Sequence, residues 1–64
     1  MSDHPSFISV TQGLSGYFAV LMSWNEDGCG YEPWNTGVGR YATREEAVRE
    51  ALAWAEAEGL EYKA

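Results

Sequence analysis

The chain predicts an α+β fold, a three-stranded antiparallel sheet with one C-terminal helix packed on one face, in the order β-β-β-α with room for a short fourth strand. Three observations carry this expectation. Residues 17–25 alternate their apolar side chains as a strand does. Residues 26–30 hold an Asp-Gly pair and a second glycine, the composition at which antiparallel strands reverse. Residues 43–59 contain a helix with its own start and stop signals.

The elements follow in order. Residues 1–5 read as a flexible N-terminus, and residues 6–11 set β-branched and aromatic side chains between polar neighbours, which predicts a first strand. Gly13 and Gly16 mark a turn. In residues 17–25, Phe18, Val20, Met22 and Trp24 share one face while Tyr17, Ala19, Leu21 and Ser23 share the other. Both faces are apolar enough for a central strand. The returning segment, residues 31–41, is irregular because Pro33 removes a ladder donor and Gly37 and Gly39 weaken a strand, so it belongs at an edge with a bulge.

The helix opens with the capping box Thr43-x-x-Glu46, in which each side chain satisfies a backbone N–H of the other residue, and Gly59 closes it. Glu45 and Glu46 sit beside the helix N-terminus and Glu45 precedes Arg49 by four residues. Each effect contributes a few tenths to about 1 kcal/mol. Val48, Ala51, Leu52 and Ala55 form the stripe expected to face the sheet, flanked by Ala47 and Trp54, with Glu46, Glu50, Ala53 and Ala57 outward. Leu60 is placed to clip back onto the last turn, and residues 60–63 can supply the fourth strand.

Sixty-four residues make a single small α+β domain, residues 1–64. A chain of this size buries only about 60% of its unfolded surface, which leaves little room for a deep pocket. Ten acidic residues against four basic ones give a net charge of −6. That balance disfavours direct binding to nucleic acid or to an anionic membrane and suits a basic protein surface. The single cysteine, Cys29, cannot form an internal disulfide, the N-terminus has no signal-peptide pattern, and no run approaches the roughly 18 apolar residues that span a bilayer. The chain reads as a complete cytoplasmic product.

Candidate chemistry is sparse. Gly37-x-Gly39-x-x-Ala42 has the spacing of a dinucleotide fingerprint, with Glu58 about 20 residues on, but that motif needs a parallel strand and sheet edge for which five residues after Gly59 are too few. The glycines are better explained by a bulge and a tight approach to the helix. Cys29 has Glu26 and Asp27 beside it and no nearby cation, which disfavours a thiolate. His4, the lone histidine, lies near a terminus, and Glu26-Asp27-Gly28 lacks the alternating oxygen ligands of a calcium loop. No enzyme activity, metal or cofactor is expected.

Nine aromatic residues exceed what one helix-on-sheet core requires. Tyr17, Tyr31, Trp34 or Trp24 are therefore expected to present on the sheet face that the helix leaves uncovered, with Trp24, Tyr31 and Trp34 as anchors rimmed by Glu26, Asp27 and Glu32, and Glu45, Glu46 and Glu50 offering further carboxylates on the helix.

The segment from Gly37 through the Thr43-x-Glu45-Glu46-Ala47 helix to Gly59 resembles the end of short proteins encoded by phages, prophages and plasmids. It is also similar to the strand-strand-helix part of antitoxins of the HicB type, without their Pro-rich link. In size and charge the chain resembles the anti-CRISPR inhibitors. That resemblance implies a non-enzymatic inhibitor whose carboxylates occupy a basic nucleic-acid-binding surface on a CRISPR effector and block DNA binding. The alternative is a homodimeric structural or accessory phage protein that pairs its open sheet faces and inhibits nothing.

Overall fold

The structure is a computed structural model and describes residues 4–63. Strand β1 spans Phe7–Gly13, β2 spans Gly16–Asn25 and β3 spans Gly30–Thr36; helix α1 spans Arg44–Glu58 and a two-residue strand, β4, spans Glu61–Tyr62. The fold is α+β with one helix, and the sheet has four strands in the order β3-β2-β1-β4. The fourth strand changes its character. β1 and β3 are antiparallel to β2, whereas β4 runs parallel to β1, pairing Phe7 with Glu61 and Ile8 with Tyr62, so the sheet is mixed. Lys63 N–H donates to Ile8 O at 2.9 Å and extends the ladder by one bond.

Local chemistry explains each element. Leu14 and Ser15 form the turn between β1 and β2, and Gly16 follows at φ 120°, a conformation that L side chains rarely adopt. A Cβ there would also stand 2.5 Å from Tyr41 O, because Tyr17 and Tyr41 exchange backbone hydrogen bonds of 2.9 Å in both directions. In the β2–β3 loop, Asn25 Oδ1 accepts from Asp27 N–H at 3.0 Å and Gly28 N–H at 3.3 Å, and Cys29 takes φ 54° before β3 begins. The expected bulge lies opposite Leu21 and Met22: Met22 pairs with Pro33 and Leu21 with Asn35, which leaves Trp34 as the extra residue.

Helix α1 has Thr43 as its N-cap, in extended backbone, with Thr43 Oγ1 accepting from Glu46 N–H at 3.3 Å. The reciprocal half of the box differs from expectation, since Thr43 Oγ1 donates to Glu46 Oε1 at 3.0 Å. Gly59 closes the helix at φ 69°, with Leu60 N–H donating to Ala55 O and Gly59 N–H to Glu56 O, the paired bonds of a Schellman motif. Leu60 then packs on the core, as the clip requires.

The buried stripe is a correction. Ala47, Ala51 and Ala55 face the sheet, Val48 and Trp54 flank them, and Leu52 is 50% exposed. Alanines four residues apart make a flat ridge that lets the helix lie close over Ile8, Val10 and Ala19. One residue is about 100° around a helix, so an inward Ala51 carries Leu52 off the contact. Ile8 is the only large side chain fully buried among the described residues. Helix α1 contacts β1, β2 and β4, so β3 lies beyond its cover; Tyr17, which the sequence offered for the uncovered face, packs against the helix-side cluster instead.

The expected flexible N-terminus covers residues 1–5, of which 1–3 lie outside the described residues. Positions 4 and 5 are engaged. The His4 ring stacks on Trp24 at 3.6 Å, and Pro5 O accepts from Tyr31 Oη–H at 3.1 Å.

Candidate functional site

The residues expected to form one acidic and aromatic surface are divided by the fold between two ends of the sheet. Trp24 and Tyr31 are cross-strand partners in β2 and β3, two residues from the loop that holds Glu26 and Asp27. Their rings meet edge to face at 5.2 Å, and Phe7 adds a second edge contact to Tyr31 at 4.7 Å. With His4 stacked on Trp24, both rings are half-buried and largely committed to one another. Trp34 differs. It is 73% exposed in the bulge of an edge strand that the helix does not cover.

Glu26, Asp27 and Glu32 are exposed on this side, and Glu32 Oε2 accepts from Asn25 Nδ2–H at 3.1 Å. Glu45 and Glu46 are exposed but belong to the first turn of α1, which begins just after the Tyr17–Tyr41 bridge. Tyr17 and Asn25 are eight residues apart on β2, so about 26 Å separates that end from the hairpin loop at ~3.3 Å per residue. These carboxylates do not rim the same aromatics.

Glu50 is the clearest departure from expectation. It is half-buried, and its Oε1 accepts from Tyr41 Oη–H at 2.8 Å and Gly39 N–H at 3.2 Å. The carboxylate also fills the space in which a Cβ at Gly37 or Gly39 would stand. This accounts for the Gly37-x-Gly39 pattern: the glycines clear room for an internal carboxylate, and no nucleotide is needed to explain them. Hydrogen bonding to Glu50 raises the Tyr41 hydroxyl above its ordinary pKa of 10.0, with burial and the charges of Glu50 and Glu46 acting in the same direction.

The β3–α1–β4 crossover assembles carboxylates that sequence patterning did not group. Helix α1 runs back along the sheet and delivers Glu56, Glu58 and Glu61 toward the end where β2 leads into the hairpin, with Glu61 level with Phe7 and Met22. Glu56 and Glu58 stand near the negative end of the helix dipole, and the last turn holds no basic residue. Each such placement costs about 0.3–1 kcal/mol where it is exposed. The signal was available as two glutamates just before a C-capping Gly59, but their nearness to the hairpin depends on the direction in which the helix crosses.

Among the described residues no helix or further strand covers the face opposite α1. A shallow concavity of about 470 Å³ lies on it, lined by Phe7, Phe18, Val20, Met22 and Pro33 with the hydroxyls of Ser9, Thr11 and Thr36. Two cations border it, with the Arg40 guanidinium 4.2 Å from the centre of the Phe18 ring and Lys63 Nζ 5.0 Å from that of Phe7. Arg40 is held there by bonds from Nη1 to Gly37 O and Gly39 O. Among the described residues, no three His, Cys, Asp or Glu side chains gather as a metal site requires, and no helix is long and apolar enough to cross a membrane. No protein-family model, curated protein or solved structure matches the chain.

Proposed function

We propose that this protein is a non-enzymatic inhibitor of mobile-element origin, of the anti-CRISPR kind, which sets an acidic end against a basic nucleic-acid-binding surface of a CRISPR effector and blocks DNA binding. The observation that carries the reading is the helix C-terminus. Glu56 and Glu58 occupy positions that the helix dipole disfavours, with no cation in the last turn, and they point the same end of the molecule as Glu26 and Asp27 toward negative charge. A basic partner would turn that local cost into attraction and gain association rate from complementary charge. Trp34, exposed on the uncovered edge strand, supplies an anchor of the type that concentrates binding energy. Pro33 lacks the N–H for strand addition at this edge, so recognition there falls to side chains.

The test is displacement of target DNA from purified CRISPR effector complexes across a salt series. The wild-type protein should abolish DNA binding by one of them at low salt and lose potency as salt rises. Lysine at Glu26, Asp27, Glu56 and Glu58 together should remove the inhibition, while the Trp34→Ala variant should weaken it without changing the salt slope. Inhibition that survives the charge reversal would refute the acidic-end mechanism, and failure against every effector would refute the assignment.

A further inference from the structure

We propose that the open face of the sheet binds a second copy of this chain, so that the protein is a face-to-face homodimer with its acidic helix sides outward. The inference is independent of the inhibitory reading above, because it concerns the sheet face opposite α1 and not the carboxylates of the hairpin and helix C-terminus.

The first argument is what the monomer lacks. Of the six buried residues in the helix-side core, four are alanines, and Ile8 alone among the described residues is a large side chain fully buried. The one cysteine is exposed and can close no internal cross-link. A single core at this size is only marginally stabilising, and a disulfide, a metal or oligomerisation often supplements it. The open face holds the apolar surface that the helix side does not use. Phe7, Phe18 and Met22 are only half-buried there, and Val20, 3% exposed, is the one buried hydrophobic residue outside the helix-side cluster among the described residues.

The second argument is charge. Two chains of net charge −6 repel unless they meet where carboxylates are scarce. The hairpin acids lie at one end, Glu32 pairs with Ser23 on the helix-side register, and the acids of α1 lie on the covered side. Among the described carboxylates only Glu61, in register with Phe7 at the β4 edge, shares the open face. Arg40 and Lys63 stand beside it on the Phe18 and Phe7 rings. A face with an apolar centre and both signs at its margins is self-complementary, as a two-fold contact requires. A basic partner would be repelled by Arg40 and Lys63, which separates this surface from the acidic end.

The third argument is area. Strands of seven, ten, seven and two residues, about 4.8 Å apart and about 3.3 Å per residue, give roughly 410 Å² of flat sheet per copy, or about 820 Å² across two copies before side-chain relief is added. That lies just below the ~1,000–1,200 Å² at which specific interfaces begin, so the relief of the Phe7, Phe18 and Met22 side chains must supply the remainder.

Sedimentation equilibrium of the full chain over a wide concentration range tests the proposal. The expected mass is twice the 7.1 kDa of one chain, at concentrations where the circular dichroism shows folded protein. Thr11→Arg and Thr36→Arg place charge at exposed positions on this face and should weaken association by about tenfold or more, a cost of ~1.4 kcal/mol, whereas Glu45→Ala on the helix should leave it unchanged. Isotope-filtered NOEs in a mixed labelled sample give a readout that needs no variant, and should connect Met22 and Phe18 of one copy with the open face of the other. A single-chain mass at all concentrations overturns the proposal, as does a dimer that both arginine variants leave intact or whose NOEs avoid this face. Loss of DNA displacement by an otherwise intact dimer would count against the inhibitory reading alone.

Discussion

Exchanging the roles of Ala51 and Leu52 tests which side of α1 faces the sheet. Ala51 is fully buried at the centre of the alanine ridge, while its neighbour Leu52 is 50% exposed. Ala51→Leu adds three carbon atoms where Ile8, Val10 and Ala19 already fill the facing surface, so the helix must lift or neighbouring side chains must leave their rotamers. Overpacking of this kind costs about 1–3 kcal/mol. Leu52→Ala removes a side chain already half in water and leaves no closed cavity. Full burial of leucine is worth about 1.5–3 kcal/mol, so half of that, at most about 1.5 kcal/mol, is the upper expectation. For a domain of this length each kcal/mol moves Tm by about 4–8 °C, so the two variants should differ by several degrees in thermal melts followed by circular dichroism at 222 nm. Urea titrations should rank them identically. If Leu52→Ala proved the more damaging change, the helix would be rotated relative to the orientation described here and the alanine-ridge argument would fail.

Other substitutions probe the remaining supports. Gly16→Ala should destabilise by more than about 1 kcal/mol, because φ 120° is strained for alanine and the new Cβ meets Tyr41 O at 2.5 Å; urea unfolding with little loss would contradict the bridge geometry. Cys29→Asn should be neutral or stabilising by up to about 1 kcal/mol, since asparagine tolerates the left-handed backbone found at φ 54°, and a clear loss of stability in the same assay would assign the thiol a structural role. Tyr41 should ionise above its ordinary pKa in an ultraviolet titration, and Glu50→Gln should lower that midpoint. The folded state holds this proton more tightly, so the tyrosine's contribution is fully present below the unfolded pKa near 10.0 and is lost as pH rises through the higher folded value. A midpoint unmoved by Glu50→Gln would remove the hydrogen bond as its cause.

Much of the fold was legible because its signals are local. Thr43 and Gly59 bound the helix through bonds that reach only three to five residues, and the Asp27-Gly28 loop and the bulge beside Pro33 obey equally short-range rules. The candidate site was less legible. Glu50 looked like any outward carboxylate at helical spacing, yet the loop of Gly37, Gly39 and Tyr41 closes over it because Tyr41 is drawn to Tyr17 across the sheet. Trp24 and Tyr31 lie beside the hairpin, but their mutual contact and the stacking of His4 leave Trp34 as the most exposed of the Phe, Tyr and Trp rings.

By itself the sequence determined the element types, the caps and turns, the acidic balance and the alternation that makes β2 central, since each depends on chemistry within a few residues or on composition alone. Tertiary structure decided that β4 joins β1 in parallel, that alanines form the buried ridge, that Glu56, Glu58 and Glu61 come toward the hairpin end, and that Arg40 and Lys63 border the open face. Those outcomes depend on the path of α1 across the sheet, which is set by how closely the helix can pack against Ile8, Val10 and Ala19 and has no counterpart in the spacing of residues along the chain.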